Sequence, residues 1–423
     1  MNDTFLLDHS YKSFPARAQP CRSDALGALG WNVLADDLAY PLATLRQSAL
    51  AHNLSWMQDF ARRKGVQLAP HGKTTMSPEL FDMQLKAGAW GLTFATIFQL
   101  AVGVRAGARR AIIANQVLSD ADLDALAALL AQHDGLRVWF LVDSRAQLAM
   151  IEAWARRRRH GGRFDALLEI GVPGQRTGVR HFDDAIDLAR AIQRSSAVRL
   201  GGVECYEGHA ANCDNDHDVR EVSALLRRVN EVVRACDAQD LFEDEQILLT
   251  AGGSAVFDLV IPMLRTAGLS RRVTGVLRSG CYLTHDHGNY RRYLAQVERR
   301  EGLDDSLRPA LEVWSMVQSV PEEGLALLTC GRRDISHDIE MPIPVRLARL
   351  GERIAASAPA GWKVTALNDQ HAYLRFDAAG IAPAVGDRVA LGISHPCTTF
   401  DKWRWMALVD DEGGVRGAVH TCF

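Results

Sequence analysis

The chain has 423 residues, 48% hydrophobic, 23% charged and 7% aromatic, the profile of a globular enzyme too long for one ordinary core, so two domains are expected. A formal net charge of −3 gives no electrostatic reason for nucleic acid or an anionic membrane as a partner. Eight irregularly spaced cysteines, no apolar run of membrane-spanning length and an N-terminus without a leader's basic start and apolar core point to a cytoplasmic location.

Residues 1–35 match neither of the patterns that follow and read as an arm, free or joined to the second domain. Leu42, Leu45, Ala49, Leu50, Leu54, Met57 and Ala61 recur at helical spacing, which predicts a helix ending at Gly65. Short apolar runs then alternate with helical stretches: Val66–Ala69, Leu92–Ala95, Ala111–Ala114, Val138–Val142, Ala166–Ile170, Leu200–Glu204, Ile247–Thr250 and Val273–Leu277. Eight such units, apolar on both faces, predict a parallel sheet closed into a (β/α)8 barrel over 36–290. The basic run Arg156–Arg159 at a helix end reads as a solvated face that complements the helix dipole. Beyond residue 290 the helical period fades, and Leu311–Val320, Leu325–Cys330, Trp362–Leu367, Ala372–Phe376, Val389–Ile393 and Trp405–Val409 read as strands of a mostly β domain over 291–423.

In a β/α barrel the active site is built at the C-terminal ends of the strands. Directly after the first strand stand Pro70-His71-Gly72-Lys73-Thr74-Thr75, then Ser77-Pro78-Glu79, a capping residue with proline at the first helical position. Lys73 is thereby placed at the mouth. Gly252-Gly253-Ser254 follow strand seven and Ser279-Gly280-Cys281 follow strand eight, where such barrels bind phosphate through backbone N–H groups. Either glycine loop alone marks only a turn. Together with a lysine after strand one they match a phosphorylated aldehyde cofactor, which needs an amine and a phosphate cradle. Cys281, within that cradle, reads as packing rather than as a nucleophile.

In the β domain, His395 and Cys397 lie two residues apart, so in extended chain both project to one face. Nitrogen with sulfur favours zinc, and two protein ligands leave positions open for water and substrate. His285-Asp286-His287 has similar spacing but falls past strand eight and reads as a solvated or hydrogen-bonded loop.

Pro70-His71-Gly72-Lys73-Thr74, Gly91-Leu92-Thr93, Ala114-Asn115-Gln116, Val142-Asp143-Ser144, Arg176-Thr177-Gly178-Val179, Tyr206-Glu207-Gly208-His209 and His395-Pro396-Cys397, in that order, resemble the D-serine dehydratase / D-threonine aldolase family from about Asp36 onward. Asn368-Asp369-Gln370-His371, the Gly252-Gly253-Ser254 loop and the long N-terminal segment depart from its usual pattern. The resemblance implies an alanine-racemase-type barrel with a β domain, a homodimer, and a small-molecule D-amino acid substrate. It implies pyridoxal 5′-phosphate on Lys73 as Schiff-base lysine, Arg176 at the cofactor's phenolic oxygen, Tyr206 or His209 on or near its ring, and zinc on His395 and Cys397.

By that resemblance the freed Lys73 amine removes the Cα proton, and Lewis-acid assistance to the β-hydroxyl lets water leave, ending in a keto acid and ammonia. Retro-aldol cleavage to glycine and an aldehyde is the alternative if a base takes the hydroxyl proton. Dehydratases of the family resemble this chain in having cysteine two residues after the metal histidine, where aldolases tend to have aspartate. A racemase would need a second acid–base group on the opposite cofactor face and would leave the metal pair idle. A non-catalytic cofactor carrier would have no need of the β domain.

Overall fold

The computed structural model describes residues 4–423. Eight parallel strands form a nearly closed barrel in the order Gln67–Leu68, Arg272–Leu277, Gln246–Ala251, Val198–Cys205, Phe164–Ile170, Arg137–Val142, Arg110–Gln116 and Leu92–Phe94. A parallel bridge between His71 and Thr93 spans the remaining gap. All eight expected strands are present. Alternation of side chains along each strand divides the barrel into two apolar layers. Ile112, Trp139, Leu141, Leu167 and Leu248 fill the interior, while Ala111, Ile113, Val138, Phe140 and Leu168 face the surrounding helices. Each of the Val, Leu, Ile and Phe side chains among these contributes about 1.5–3 kcal/mol by leaving water. Gly201 makes room for one of the largest, since a Cβ there would lie 2.8 Å from the Trp139 ring.

The second domain is an antiparallel-rich sheet in which Leu311–Glu322 pairs with Arg388–Gly392 and Leu325–Leu328. It also contains Ile343–Ala348 and Val415–His420, strands the apolar pattern does not announce. The expected helix from Leu42 begins later, at Gln47. Leu42–Arg46 is instead a strand of the β domain, antiparallel to Leu311–Trp314 and parallel to Ala407–Val409. Leu42 through Leu45 are all buried, which a strand inside a sheet permits and a one-sided helix does not. The N-terminal arm packs here too: Leu7, Phe14, Leu26 and Leu34 share a core with Trp314, Ala390 and Trp405. The arm thus shares a core with strands of this sheet, and the barrel strands fall in sequence between Leu42–Arg46 and its sheet partners.

No helix among the described residues is long and apolar enough to cross a membrane. All eight cysteines are free thiols.

Candidate active site

Lys73 sits on a single helical turn, Gly72–Thr74, directly after the first barrel strand. The turn is held by the Thr74 N–H on the His71 carbonyl at 3.3 Å and the Met76 N–H on the Gly72 carbonyl at 2.9 Å. Pro78 opens the next helix as expected, but Ser77 does not cap it: its hydroxyl donates to Glu79 at 3.0 Å. Lys73 projects into a cavity of about 340 Å³ lined also by Arg176, Tyr206, Arg278, His395 and Cys397, so residues more than 300 positions apart in sequence converge there.

The two glycine loops form one wall. Gly280 is packed so closely that a Cβ would lie 2.6 Å from the His71 carbonyl oxygen and 2.9 Å from Thr74 Oγ1. The expected donors differ in part. The N–H groups of Gly252 and Gly253 donate to the Glu207 carboxylate at 3.0 and 2.6 Å, so they are spent inside the protein. Among the described residues, the N–H groups of Ser254 and Gly280 have no protein partner. They, with the Ser254 hydroxyl, are donors that this wall offers an anion. The Cys281 N–H donates to that hydroxyl at 3.1 Å.

Tyr206 lines the cavity, and the Arg176 guanidinium lies over its ring at 4.9 Å. Burial pushes the Tyr206 phenol up to about 12. His209 packs edge-on against the Tyr206 ring with centroids 5.0 Å apart, but it does not line the cavity. Of the two candidate ring neighbours, only Tyr206 faces the space a cofactor would fill.

Arg278, Glu204 and His71 are among the lining residues that go beyond the expected set. Arg278 forms a buried ion pair with Glu204 at 2.5 Å and donates to the Cys205 carbonyl at 3.1 Å. Burial pushes the Glu204 carboxyl up to about 7 despite that guanidinium, and its Oε2 has no partner. His71 Nδ1 is likewise buried without a partner. Burial, then the charges of Lys73, Arg278 and Arg176, hold this imidazole well below its usual range, hence neutral. Glu204 and Arg278 stand at the ends of barrel strands six and eight, where a charged residue after an apolar run is itself a signal.

On the β-domain side, Cys397 begins a short helical turn, Cys397–Phe400, after the strand Arg388–Gly392. Its Sγ lies 3.4 Å from Thr74 Oγ1 and 3.8 Å from Cys281 Sγ. The Cys281 contact holds the Cys397 thiol well below its usual range against the opposing effect of burial, and His395 adds to this. Against burial, hydrogen bonds to Cys397 and Asp338 lift His395 to about 9. Both shifts run toward a thiolate beside a protonated imidazole, whose proton a metal cation would displace. No cluster of three or more His, Cys, Asp or Glu side chains suited to a metal occurs among the described residues. His395 and Cys397 offer one nitrogen and one sulfur, which as a pair would leave coordination positions open rather than close a structural site. In the neighbouring His285-Asp286-His287 run, His285 and Asp286 are buried and His287 half-buried, and the loop is hydrogen-bonded: Asp286 accepts the N–H groups of Gly288, Tyr290 and Arg291 at 3.0–3.2 Å.

An amine, unpaired N–H donors on glycine-containing loops, and cationic Arg176 fit a phosphorylated aldehyde cofactor. Such a barrel with a lysine after its first strand and a β domain across its mouth is of the alanine-racemase type. The family model described as "Alanine racemase, N-terminal domain" matches residues 45–285, and the chain belongs to that family, which is the fold type III group of pyridoxal-phosphate enzymes. A second model, "Putative serine dehydratase domain", matches residues 310–409.

The D-threonine aldolase of Arthrobacter sp is 28% identical over 387 residues, covering 88% of this chain and 89% of its own. The D-threo-3-hydroxyaspartate dehydratase of Delftia sp. (strain HT23) is 26% identical over 389 residues, covering 89% and 95%. The crystal structure of D-threonine aldolase from Filomicrobium marinum superposes with a TM-score of 0.77 at 24% identity over 93% of this chain and 97% of that one.

Proposed function

We propose that this chain is a pyridoxal-phosphate- and zinc-dependent lyase that dehydrates a β-hydroxy D-amino acid, D-serine or a relative, to a keto acid and ammonia. The observation that carries this reading is the meeting of Lys73 with the His395–Cys397 pair at one cavity, an amine and a metal-ligand pair facing the same space. Pyridoxal phosphate, when bound, supplies an electron sink for the charge left at Cα. Lys73 would hold it, with Ser254 and Gly280 at its phosphate. With the cofactor bound, the Lys73 amine would be the base for the Cα proton. Arg176 gives the cavity positive charge of the kind that an amino-acid carboxylate or a phosphate requires. His395 and Cys397 would hold zinc, a Lewis acid suited to the β-hydroxyl. The same reading includes a homodimer in a reducing cytoplasm.

D-threonine aldolase is the second reading, favoured by the 28% identity over 88% of the chain to such an enzyme. Cys397, where the resemblance leads one to expect aspartate in an aldolase, favours dehydration. The deciding assay incubates zinc-supplemented holoenzyme with D-serine and, separately, D-threonine, and follows keto acid, ammonia, glycine and aldehyde together. Equal keto acid and ammonia, abolished by chelator, is the expected result. Glycine with an aldehyde overturns it in favour of the aldolase.

A further inference from the structure

His395 does not stand alone on its turn. Its Nδ1 lies 2.6 Å from one oxygen of Asp338, and the other oxygen of that carboxylate accepts the Thr398 hydroxyl at 2.7 Å. Asp338 comes from the irregular segment between the strands Leu325–Leu328 and Ile343–Ala348, 57 positions from the histidine. That segment is laced along its length to the turn that carries His395 and Cys397. The Ser336 N–H donates to Thr399 Oγ1 at 3.1 Å, and the Ser394 hydroxyl donates to the Glu340 carbonyl at 3.0 Å. The carboxylate is therefore held at both oxygens, and its backbone is anchored on both sides.

We infer that Asp338 is a positioning residue for the metal site: it fixes the His395 ring with Nδ1 as proton donor and leaves Nε2 as the lone pair that faces a cation beside Cys397. This rests on the reading of His395 and Cys397 as metal ligands. The physical basis is general. A neutral imidazole carries one proton, and the nitrogen that donates it to a carboxylate cannot ligate, so the other must. A carboxylate partner also raises the basicity of the ligating nitrogen and removes the ring's rotational freedom, and losing such a partner costs roughly 10–100-fold in metal affinity. Asp338 does not line the cavity, so substrate contact does not account for its placement. Its 42% side-chain exposure leaves room for truncation without opening a core void.

The test measures the zinc dissociation constant of purified holoenzyme by competition with a chromophoric chelator. Asp338→Ala is expected to weaken zinc about 10–100-fold, and Asp338→Asn, which keeps an acceptor without the charge, to fall between it and wild type. The visible cofactor band and the thermal unfolding of zinc-free protein are expected to stay at wild-type values, which a merely structural role for Asp338 does not predict. Wild-type zinc affinity in Asp338→Ala overturns the inference alone. A wild-type protein that binds no zinc overturns the metal reading and the inference with it. Should Asp338→Ala fail to fold, Thr398→Ala frees one carboxylate oxygen only: a smaller but measurable loss of zinc affinity supports the inference, and unchanged affinity overturns it.

Discussion

Gly280→Ala presses directly on the turn that carries Lys73. The new methyl would lie 2.6 Å from the His71 carbonyl oxygen, where ordinary contact begins at 3.4 Å, so the two must separate by roughly 0.8 Å. Two further atoms, His71 Cβ and Thr74 Oγ1, would lie at 2.9 Å, and these flank Lys73 on both sides. Gly280 is not in the left-handed backbone region, so alanine incurs no conformational strain and the whole effect is contact. Overpacking of this kind costs about 1–3 kcal/mol of stability. A catalytic group displaced by close to 1 Å loses on the order of 10²-fold in rate. The assay compares thermal unfolding with turnover per cofactor-loaded molecule at saturating pyridoxal phosphate. Turnover is expected to fall far more than stability. Wild-type turnover in a folded, loaded Gly280→Ala protein would refute the placement of Lys73 as the reacting amine.

Lys73→Ala is expected to abolish the visible absorbance of bound cofactor, and a retained band sinks the central assignment. His395→Ala and Cys397→Ala should keep that band while losing zinc and lyase turnover; turnover that survives in either and resists chelator removes the metal from the reaction. The Glu204 carboxyl, at about 7 in the fold against an ordinary 4.5, is favoured in its protonated form by folding. That contribution, about 3 kcal/mol, is fully present below about pH 4.5 and is lost as pH rises through about 7. Permanently neutral Glu204→Gln should therefore flatten the fall in urea-unfolding stability between pH 5 and 8, and an unchanged slope would contradict the burial argument.

The barrel was legible because each strand is an apolar run bounded by helical periodicity, and a parallel sheet covered on both sides requires such runs. The Lys73, Gly280 and Cys397 neighbourhoods were legible from their positions after strands. Leu42–Arg46 was not, because apolar residues at 42, 45, 49 and 50 satisfy a helical spacing as well as a buried strand, and only its partners more than 250 residues away decide between them. The Gly252 and Gly253 donors went astray for a similar reason. Nothing local says that Glu207, 45 positions earlier, will claim the Gly252 N–H. Asp338 lies in a segment without periodicity and acquires meaning only when the fold brings it to His395.

The insertion of the barrel between Leu42–Arg46 and Leu311–Glu322 also bears on how the molecule is made. During synthesis the first β-domain strand emerges long before its antiparallel partner, and its parallel partner at Ala407–Val409 comes later still. The barrel can close while that strand waits unpaired, so the sheet is sealed last, through contacts of very high sequence separation that form slowly. Cys397 and His395 follow a strand of the sheet that is sealed last, so the proposed metal-ligand pair would be assembled only once the barrel already exists to receive it.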